Sequence, residues 1–282
     1  SSGSADSAEA FLKGPMTLIA LLTDFGTCDE YVGVMKGVIA GIDPGTRVVD
    51  ICHQIEPQNI VHGAFILQAA VPYFPEDTIF VAVVDPGVGG PRRILAADCG
   101  GRRFVVPDNG LIEGVLNKPS EAAVVSVENR RYFLTPVSRT FHGRDIFAPV
   151  AAHLAAGLPL AELGPPIDPA DIVTGKMPRY RFSSRDGIKG VVVAADRFGN
   201  LMTNIDERAI ERLCKGTAER PVTVVLADTP IGAIVDSYDQ AAENAPLAII
   251  GSRGLLEIAV NCGNARQMLQ TGKDRRVRVQ LL

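Results

Sequence analysis

Two hydrophobic patterns alternate along the first half of the chain: short apolar runs and helix-spaced apolar rows. The run over 18–22 ends at Thr23-Asp24-Phe25-Gly26 and predicts a buried strand. Tyr31, Val34, Met35, Val38 and Ile39 then recur on one helical face until Asp43-Pro44-Gly45 stops the helix. A second strand is predicted over 48–51. A helix is predicted over 57–73, with Ile60, Ala64, Leu67 and Val71 along one side, and a third strand over 79–84. Residues 94–98 and 104–106 read as paired strands about Gly100-Gly101, and Asp108-Asn109-Gly110 reads as a turn. A short helix over 111–116, strands over 124–127 and 132–134, and a helix over 145–156 complete this half. The alternation predicts an α/β domain with a central, mostly parallel sheet covered on both faces.

Beyond it the pattern changes. Pro159, Pro165, Pro166, Pro169 and Pro178 predict an extended, poorly helical linker. Short β-rich runs follow over 190–194, 222–226, 247–250, 255–260 and 277–281, and the residues over 207–213 read as a helix. The expectation is a smaller, C-terminal, all-β barrel-like domain. The predicted domains are 16–165 and 180–282.

Composition narrows the possibilities. A chain of 282 residues with 46% hydrophobic and 21% charged residues can bury a sizeable core. A net charge of −4 supplies no basic footprint for nucleic acid. No apolar run approaches the ~20 residues that span a bilayer. Five scattered cysteines, without a Cys-x-x-Cys pair, predict reduced, buried thiols in a cytoplasmic protein. Residues 1–10 are small and polar and lack the apolar core of a secretory signal, so the native start is expected near Met16.

Candidate chemistry sits where elements end. Asp85 follows the run over 79–84, and Pro86, Gly87, Gly89 and Gly90 force an irregular loop that carries Arg92. In open α/β sheets, ligands bind outside the carboxyl ends of the strands. Asp85 and Arg92 are either a structural ion pair or reactive groups. The loop is glycine-rich, but no Gly-Lys-Ser/Thr signature follows. His142, within Phe141-His142-Gly143-Arg144-Asp145, is either a core histidine or a functional one, and the spacing of the histidines fits no standard zinc pattern. Asp24 is a turn or capping aspartate, or a carboxylate for vicinal sugar hydroxyls. Asp24-Phe25-Gly26 also occurs in protein kinases, but no glycine-rich loop with a strand lysine accompanies it. Asp196-Arg197-Phe198-Gly199-Asn200 is a hairpin turn, or an aromatic and an amide for a base. Arg253, in Ser252-Arg253-Gly254, is a surface residue or a fork for a carboxylate.

The ordered set Thr-Asp-Phe-Gly, Val-Val-Asp-Pro-Gly-Val-Gly, Pro-Asp-Asn-Gly, Phe-His-Gly-Arg-Asp-Ile-Phe, Asp-Arg-Phe-Gly-Asn and Glu-Ile-Ala-Val-Asn is specific as a combination. It resembles the S-adenosyl-L-methionine hydroxide adenosyltransferase family, the adenosine-forming S-adenosylmethionine hydrolases, which is related to the fluorinases and chlorinases. The resemblance runs from about residue 18 to 265. It implies hydrolysis of S-adenosyl-L-methionine to adenosine and L-methionine, no cofactor or metal, and a homotrimer with the active site between subunits. It implies that Asp85, Arg92 and His142 handle water; on physical grounds Arg92 is expected to polarise it, His142 to share or relay its proton and Asp85 to orient the pair. Arg92 rather than Arg93 is implied, because the family arginine lies seven residues after the aspartate. Asp24 would hold the ribose hydroxyls, and Tyr73 or Phe74 would line the sugar pocket. Phe141 would pack near the reacting carbon. Phe198 and Asn200 would hold adenine, Asp196 the methionine amino group, and Ser252 and Arg253 the methionine carboxylate. Fluorinases carry Tyr-Ser where this chain has His142-Gly143, and the extra loop of their first domain is missing here. Glycine also occurs there in chlorinases, so a chlorinase-type halogenase is one alternative. A non-catalytic protein that binds S-adenosylmethionine or adenosine is another.

Overall fold

The computed structural model describes residues 17–116, 122–215 and 222–282. The expected start at Met16 lies outside the described residues. The chain divides into two compact units, the first ending at Met177 and the second beginning at Pro178.

Among the described residues, the first unit holds a six-stranded sheet. Its strands are β1 (Leu18–Thr23), β2 (Arg47–Cys52), β3 (Ile79–Val83), β4 (Ile94–Cys99), β5 (Arg102–Pro107) and β6 (Ala123–Ser126), in the order β2-β1-β3-β5-β4-β6. The pairs β1–β2, β1–β3 and β3–β5 are parallel, whereas β4 runs antiparallel to β5 and β6. The tight Gly100-Gly101 turn makes β4–β5 a hairpin, and both glycines hold positive φ, +64° and +83°.

Strand side chains alternate between two cores. Ile19, Leu21, Ile79, Val81 and Val83 face one core, with Met35 and Ile39 of α1 (Tyr31–Ile42) and Val150 and Leu154 of α3 (Ala148–Ala155). Ala20, Leu22, Phe80, Ala82 and Val84 face the other, with Ala64 and Leu67 of α2 (Ile60–Ala70). Full burial of one such Leu or Phe contributes about 1.5–3 kcal/mol, so both faces need their helical cover.

Four local expectations need correction. Residues 130–132 form a 3-10 turn and no strand spans 132–134, because Asn129 accepts the Arg131 N–H and closes the backbone on itself. The helix expected over 145–156 begins with a π-helical turn, Gly143–Phe147, before α3. The proline-rich stretch is not a free linker. Leu163 and Ile172 are buried in the first unit, and Val125 bridges to Pro166. The five cysteines form no disulfide with one another, but Cys28 and Cys262 are exposed and of the five Cys214 alone is buried.

The second unit is strand-rich and barrel-like. Its strands are β7 (Arg181–Ser183), β8 (Gly187–Ala195), β9 (Leu201–Asp206), β10 (Val222–Leu226), β11 (Thr229–Gly232), β12 (Ile234–Val235), β13 (Pro246–Ile250), β14 (Leu255–Val260) and β15 (Arg276–Leu281). Among the described residues their order is β11-β10-β15-β8-β9-β14-β13-β12, with β7 beside β8. β11 approaches β13, so the ribbon nearly closes on itself. Helix α4 (Glu207–Leu213), capped by the Asp206 carboxylate at the Ala209 N–H, packs Ala209, Ile210 and Leu213 into the core. A short helix, α5 (Ala265–Met268), is capped by Asn264.

Candidate active site

β1 and β3 are neighbours, with Thr23 opposite Val83. The residues that leave their C-terminal ends, Asp24 and Asp85, therefore emerge side by side. A cavity of about 340 Å³ opens there, and Asp24, Phe25, Gln58, Asp85, Phe141 and His142 are in its wall.

Local structure fixes each of these groups. Thr23 is buried and hydrogen-bonds His53 Nδ1 at 2.8 Å, while the His53 carbonyl accepts the Gly26 N–H. That holds the turn carrying Asp24, whose Oδ2 accepts the Gln58 N–H at 2.8 Å. The loop after Asp85 is closed by Val88 N–H to Asp85 carbonyl and Gly90 N–H to Gly87 carbonyl bonds. Gly89, at φ +74°, lies against the Arg139 carbonyl, where a Cβ would collide. This contact ties the loop to the segment that delivers Phe141 and His142.

Arg92 joins the two sides. Its Nε is 2.9 Å and its Nη2 2.5 Å from Asp85 Oδ2, and Nη2 is 2.8 Å from His142 Nδ1. Both charged side chains are largely buried, Arg92 at 13% and Asp85 at 5% exposure. Arg92 is not itself in the cavity wall. The neighbouring Arg93 takes a different partner, Asp108, so the two arginines are not interchangeable. Asn109, from the same Pro-Asp-Asn-Gly turn, donates to the Val84 carbonyl and braces the end of β3.

A guanidinium has no acceptor, so His142 Nδ1 must present its lone pair to Arg92 and the ring proton sits on Nε2. Burial first, and then the Arg92 charge, lower the His142 pKa below its usual value, against smaller pulls from Asp85 and Asp145. The imidazole is therefore neutral near pH 7 and offers an N–H donor. His142 occupies the N-cap position of the π turn without a side-chain capping bond, and such turns are found often at functional sites. Asp145 anchors that turn. Its buried carboxylate accepts the Ser138 N–H at 2.7 Å and Arg144 Nε at 2.6 Å. Burial alone would raise its pKa, but these bonds hold it below the ordinary value.

Phe141 meets Tyr31 edge to face at 4.9 Å and Phe25 at 5.9 Å. Gly143 lies under this aromatic group, where a Cβ would stand 3.1 Å from Met35 Sδ, Phe141 and Phe25. Tyr73 and Phe74 are in neither the cavity wall nor similar settings. Phe74 turns inward onto the Phe80 ring at 5.4 Å, whereas Tyr73 is 82% exposed. Of the two, Tyr73 is the one free to meet a ligand.

In the second unit, Asp196 closes its own loop. Its Oδ1 accepts the Phe198 and Asn200 N–H groups, and its Oδ2 accepts Asn200 Nδ2. Asn200 is thereby buried, and Phe198 is left 74% exposed at the tip. Ser252 and Arg253 form the turn between β13 and β14, and Arg253 Nη1 donates to Met202 Sδ. Sequence reasoning missed Glu257, which is buried on β14 near Arg253 and Asp196. It also missed the roles of Gln58, Asn109, Asp145 and His53. A glutamate within the apolar run Leu-Leu-Glu-Ile-Ala-Val was the available signal for Glu257. Among the described residues, no three His, Cys, Asp or Glu side chains converge as metal ligands, and no helix is long and apolar enough to cross a membrane.

Two family profiles match the chain. The N-terminal domain of SAM hydroxide adenosyltransferase matches residues 19–164, and its C-terminal domain matches 190–278. The (R)-S-adenosyl-L-methionine hydrolase of Thermus thermophilus is 39% identical over 262 residues, spanning 90% of this chain and 96% of the relative. The (R)-S-adenosyl-L-methionine hydrolase of Salinispora tropica is 38% identical, spanning 94% and 98%. A fluorinase of Actinopolyspora mzabensis is 29% identical, spanning 88% and 91%. A crystal structure of an uncharacterized conserved protein from Thermotoga maritima superposes with a TM-score of 0.84 at 36% identity, covering 93% of this chain and 99% of that one. Matched along both of its units, the chain belongs to the SAM hydroxide adenosyltransferase family.

Proposed function

We propose that this protein hydrolyses S-adenosyl-L-methionine to adenosine and L-methionine, by attack of water on the ribose C5′ in line with the departing sulfur. The observation that carries the reading is the Asp85–Arg92–His142 cluster, beside Asp24, at the carboxyl ends of two adjacent strands.

The leaving group is a neutral thioether and needs no acid. The substrate's positive charge passes to the oxygen that attacks, and the protonated alcohol formed is a strong acid, so a carboxylate suffices to take its proton. Asp85, in the cavity wall, is assigned this role, because Asp24 is assigned to the ribose hydroxyls. His142, neutral and protonated on Nε2, fits as a donor that orients the water rather than as its base. Arg92 then acts as a positioning residue. Its fork holds the carboxylate and fixes the imidazole tautomer. This division of labour differs from the water-polarising arginine and proton-relaying histidine expected from the sequence. Proximity supplies a further contribution, since a fixed water in line with the C–S bond forgoes solvent reorganisation.

Asp24 would accept the ribose hydroxyls, and Phe141 would pack at the reacting carbon. Tyr73 would flank the sugar. Phe198 and Asn200 would take adenine, and Ser252 and Arg253 the methionine carboxylate. Gly143 lacks the serine hydroxyl that fluorinases carry there, a donor suited to fluoride. A serine Cβ at this position would stand 3.1 Å from Met35 Sδ and two aromatic rings, which would have to give by a few tenths of an ångström. The reaction is written without a metal or cofactor, and turnover unchanged by chelator tests that. A homotrimer in the cytoplasm is part of the proposal. Sedimentation tests the assembly and fractionation the compartment.

The deciding experiment is incubation with S-adenosylmethionine in oxygen-18 water containing chloride. Labelled adenosine plus methionine supports the proposal. A chlorinated nucleoside makes the protein a halogenase, and intact substrate with tight binding makes it a sensor.

A further inference from the structure

Lysine and arginine crowd one outer face of the second unit, although the chain as a whole carries a net charge of −4. A groove of about 1030 Å³ runs there across β7, β8 and β15. Seven cations and two carboxylates, Asp228 and Asp274, are in its wall. The strand register places the cations. Lys189 of β8 lies opposite Arg181 of β7 on one side and Arg278 of β15 on the other. Residues directly opposite in an antiparallel pair share a face, so three cations stand in one row. Arg276, two residues before Arg278, adds a fourth on that face. Their neighbours Ile188, Val277 and Val279 turn the other way, into the core.

The fold does not neutralise this row. Like charges directly opposite one another in a sheet are destabilising. Arg179, Arg181, Lys189 and Arg276 are exposed, and their side chains meet no acceptor among the described residues. Arg278 donates to the Ala227 carbonyl and stands 3.9 Å from Asp228, a fully exposed carboxylate. Such an exposed pair contributes little. Asp274 is exposed on the loop before β15. Arg275 is set aside, because its Nε donates to Thr271 and it also borders the Asp196 loop. With both carboxylates counted, the groove still keeps an excess of positive charge.

The spacing selects the anion. Adjacent strands lie about 4.8 Å apart and alternate residues along a strand about 6.8 Å, so the four cations of the row and its flank cover a patch of about 10 by 7 Å. A lone carboxylate or phosphate covers one of them. A chain of linked phosphates carries several charges within that span, and each phosphate offers oxygens to an arginine fork. A nucleic acid would run beyond the patch onto a chain of net negative charge, and none of the described residues in the wall is an aromatic on which a base could stack. We propose that this groove binds a compact oligophosphate, either inorganic triphosphate or the triphosphate of a nucleotide. Its wall contains none of the residues assigned to S-adenosylmethionine.

The test is calorimetric titration of the full-length protein with inorganic triphosphate, ATP, orthophosphate and a short oligodeoxythymidylate. Saturating adenosine occupies the site proposed for hydrolysis, and salt at about 0.15 M screens attraction beyond ~8 Å. Inorganic triphosphate should bind at least tenfold more tightly than orthophosphate. The double variant Arg181→Gln/Lys189→Gln should lose tenfold or more of that affinity and melt at the wild-type temperature or above it, because it removes opposed like charges. Arg208→Gln, exposed on α4 and outside the groove, should bind as the wild type does. Equal affinity for ATP and inorganic triphosphate supports recognition of the phosphate chain alone. Tighter binding of ATP, lost in the same double variant, supports a nucleotide as the source. Triphosphate bound no more tightly than orthophosphate overturns the proposal, and so does unchanged affinity in the double variant or an equal loss in Arg208→Gln. An oligonucleotide that outbinds triphosphate and is lost in the double variant also overturns it, since the groove would then be a nucleic-acid surface. The inorganic triphosphate result stands whether or not the protein hydrolyses S-adenosylmethionine.

Discussion

Arg92→Met tests whether the guanidinium positions the other two groups or only stabilises the loop. Unit charges 2.9 Å apart, as Arg92 Nε and Asp85 Oδ2 are, attract by about 6 kcal/mol at an effective dielectric of ~20. Desolvation of two largely buried groups offsets part of this. Removal of one partner therefore costs about 3–5 kcal/mol, because the other charge is left uncompensated. For a protein with units of this size, the melting temperature should fall by about 6–20 °C. Asp85→Leu should cost a similar amount. The double variant Asp85→Leu/Arg92→Met leaves neither charge stranded and should recover most of the lost stability. Turnover should behave differently. Each single variant should lose about 100- to 10,000-fold, and the double variant should stay as inactive as the singles. The assays are urea unfolding and chromatographic release of adenosine. Additive stability losses in the double variant would refute the pairing argument. Wild-type turnover in Arg92→Met would refute the positioning role.

Three further outcomes follow from the same geometry. The folded-state pKa of His142 is lowered, so the unfolded chain binds the proton more readily; stability is complete above pH ~6.5 and declines as pH falls through that window toward the folded value, and kcat/KM should lose an acid limb over the same range as the protonated ring is pushed off Arg92. His142→Gln should flatten the rate profile, and a profile identical to wild type would count against the neutral-donor role; His153, also lowered by burial, leaves a residual stability slope in the same direction. Gly143→Ser should cost about 1–3 kcal/mol by overpacking against Met35, Phe25 and Phe141, without yielding a halogenated nucleoside, as read by thermal melting and mass spectrometry in chloride or fluoride. Phe198→Ala removes a 74% exposed ring, so the melting temperature should hold while KM for S-adenosylmethionine rises about 5- to 150-fold, the equivalent of about 1–3 kcal/mol of base stacking.

Periodicity carried the fold far because burial decided it. β1 and β3 are apolar on both faces, as parallel central strands must be, and the helix at 207–213 is announced by its aspartate cap and its apolar row. The losses came where burial is not the determinant. The π turn at Gly143–Phe147 has the same apolar spacing as an ordinary helix start, and it is anchored by the hydrogen bonds that Asp145 makes with Ser138 and Arg144. Strands β7, β11 and β12 are two to four residues long, too short to show a period of two. The proline-rich stretch looked like a linker because proline removes donors, yet Leu163 and Ile172 anchor it by burial.

The site was legible as a set of positions but not as a set of states. A motif can single out an acid, a guanidinium and an imidazole in the segments between elements. It cannot say which nitrogen of His142 carries the proton. Only the 2.8 Å approach of Arg92 Nη2 to Nδ1 makes that ring a donor. The same limit explains Asp196 and Glu257. In the sequence, Asp196 is the acid of a loop motif and Glu257 an interruption in an apolar strand. In the fold, three donors occupy Asp196 while none reaches Glu257. Which carboxylate can still accept a ligand depends on the hydrogen bonds already made, and those are set by backbone geometry that residue identity does not encode locally.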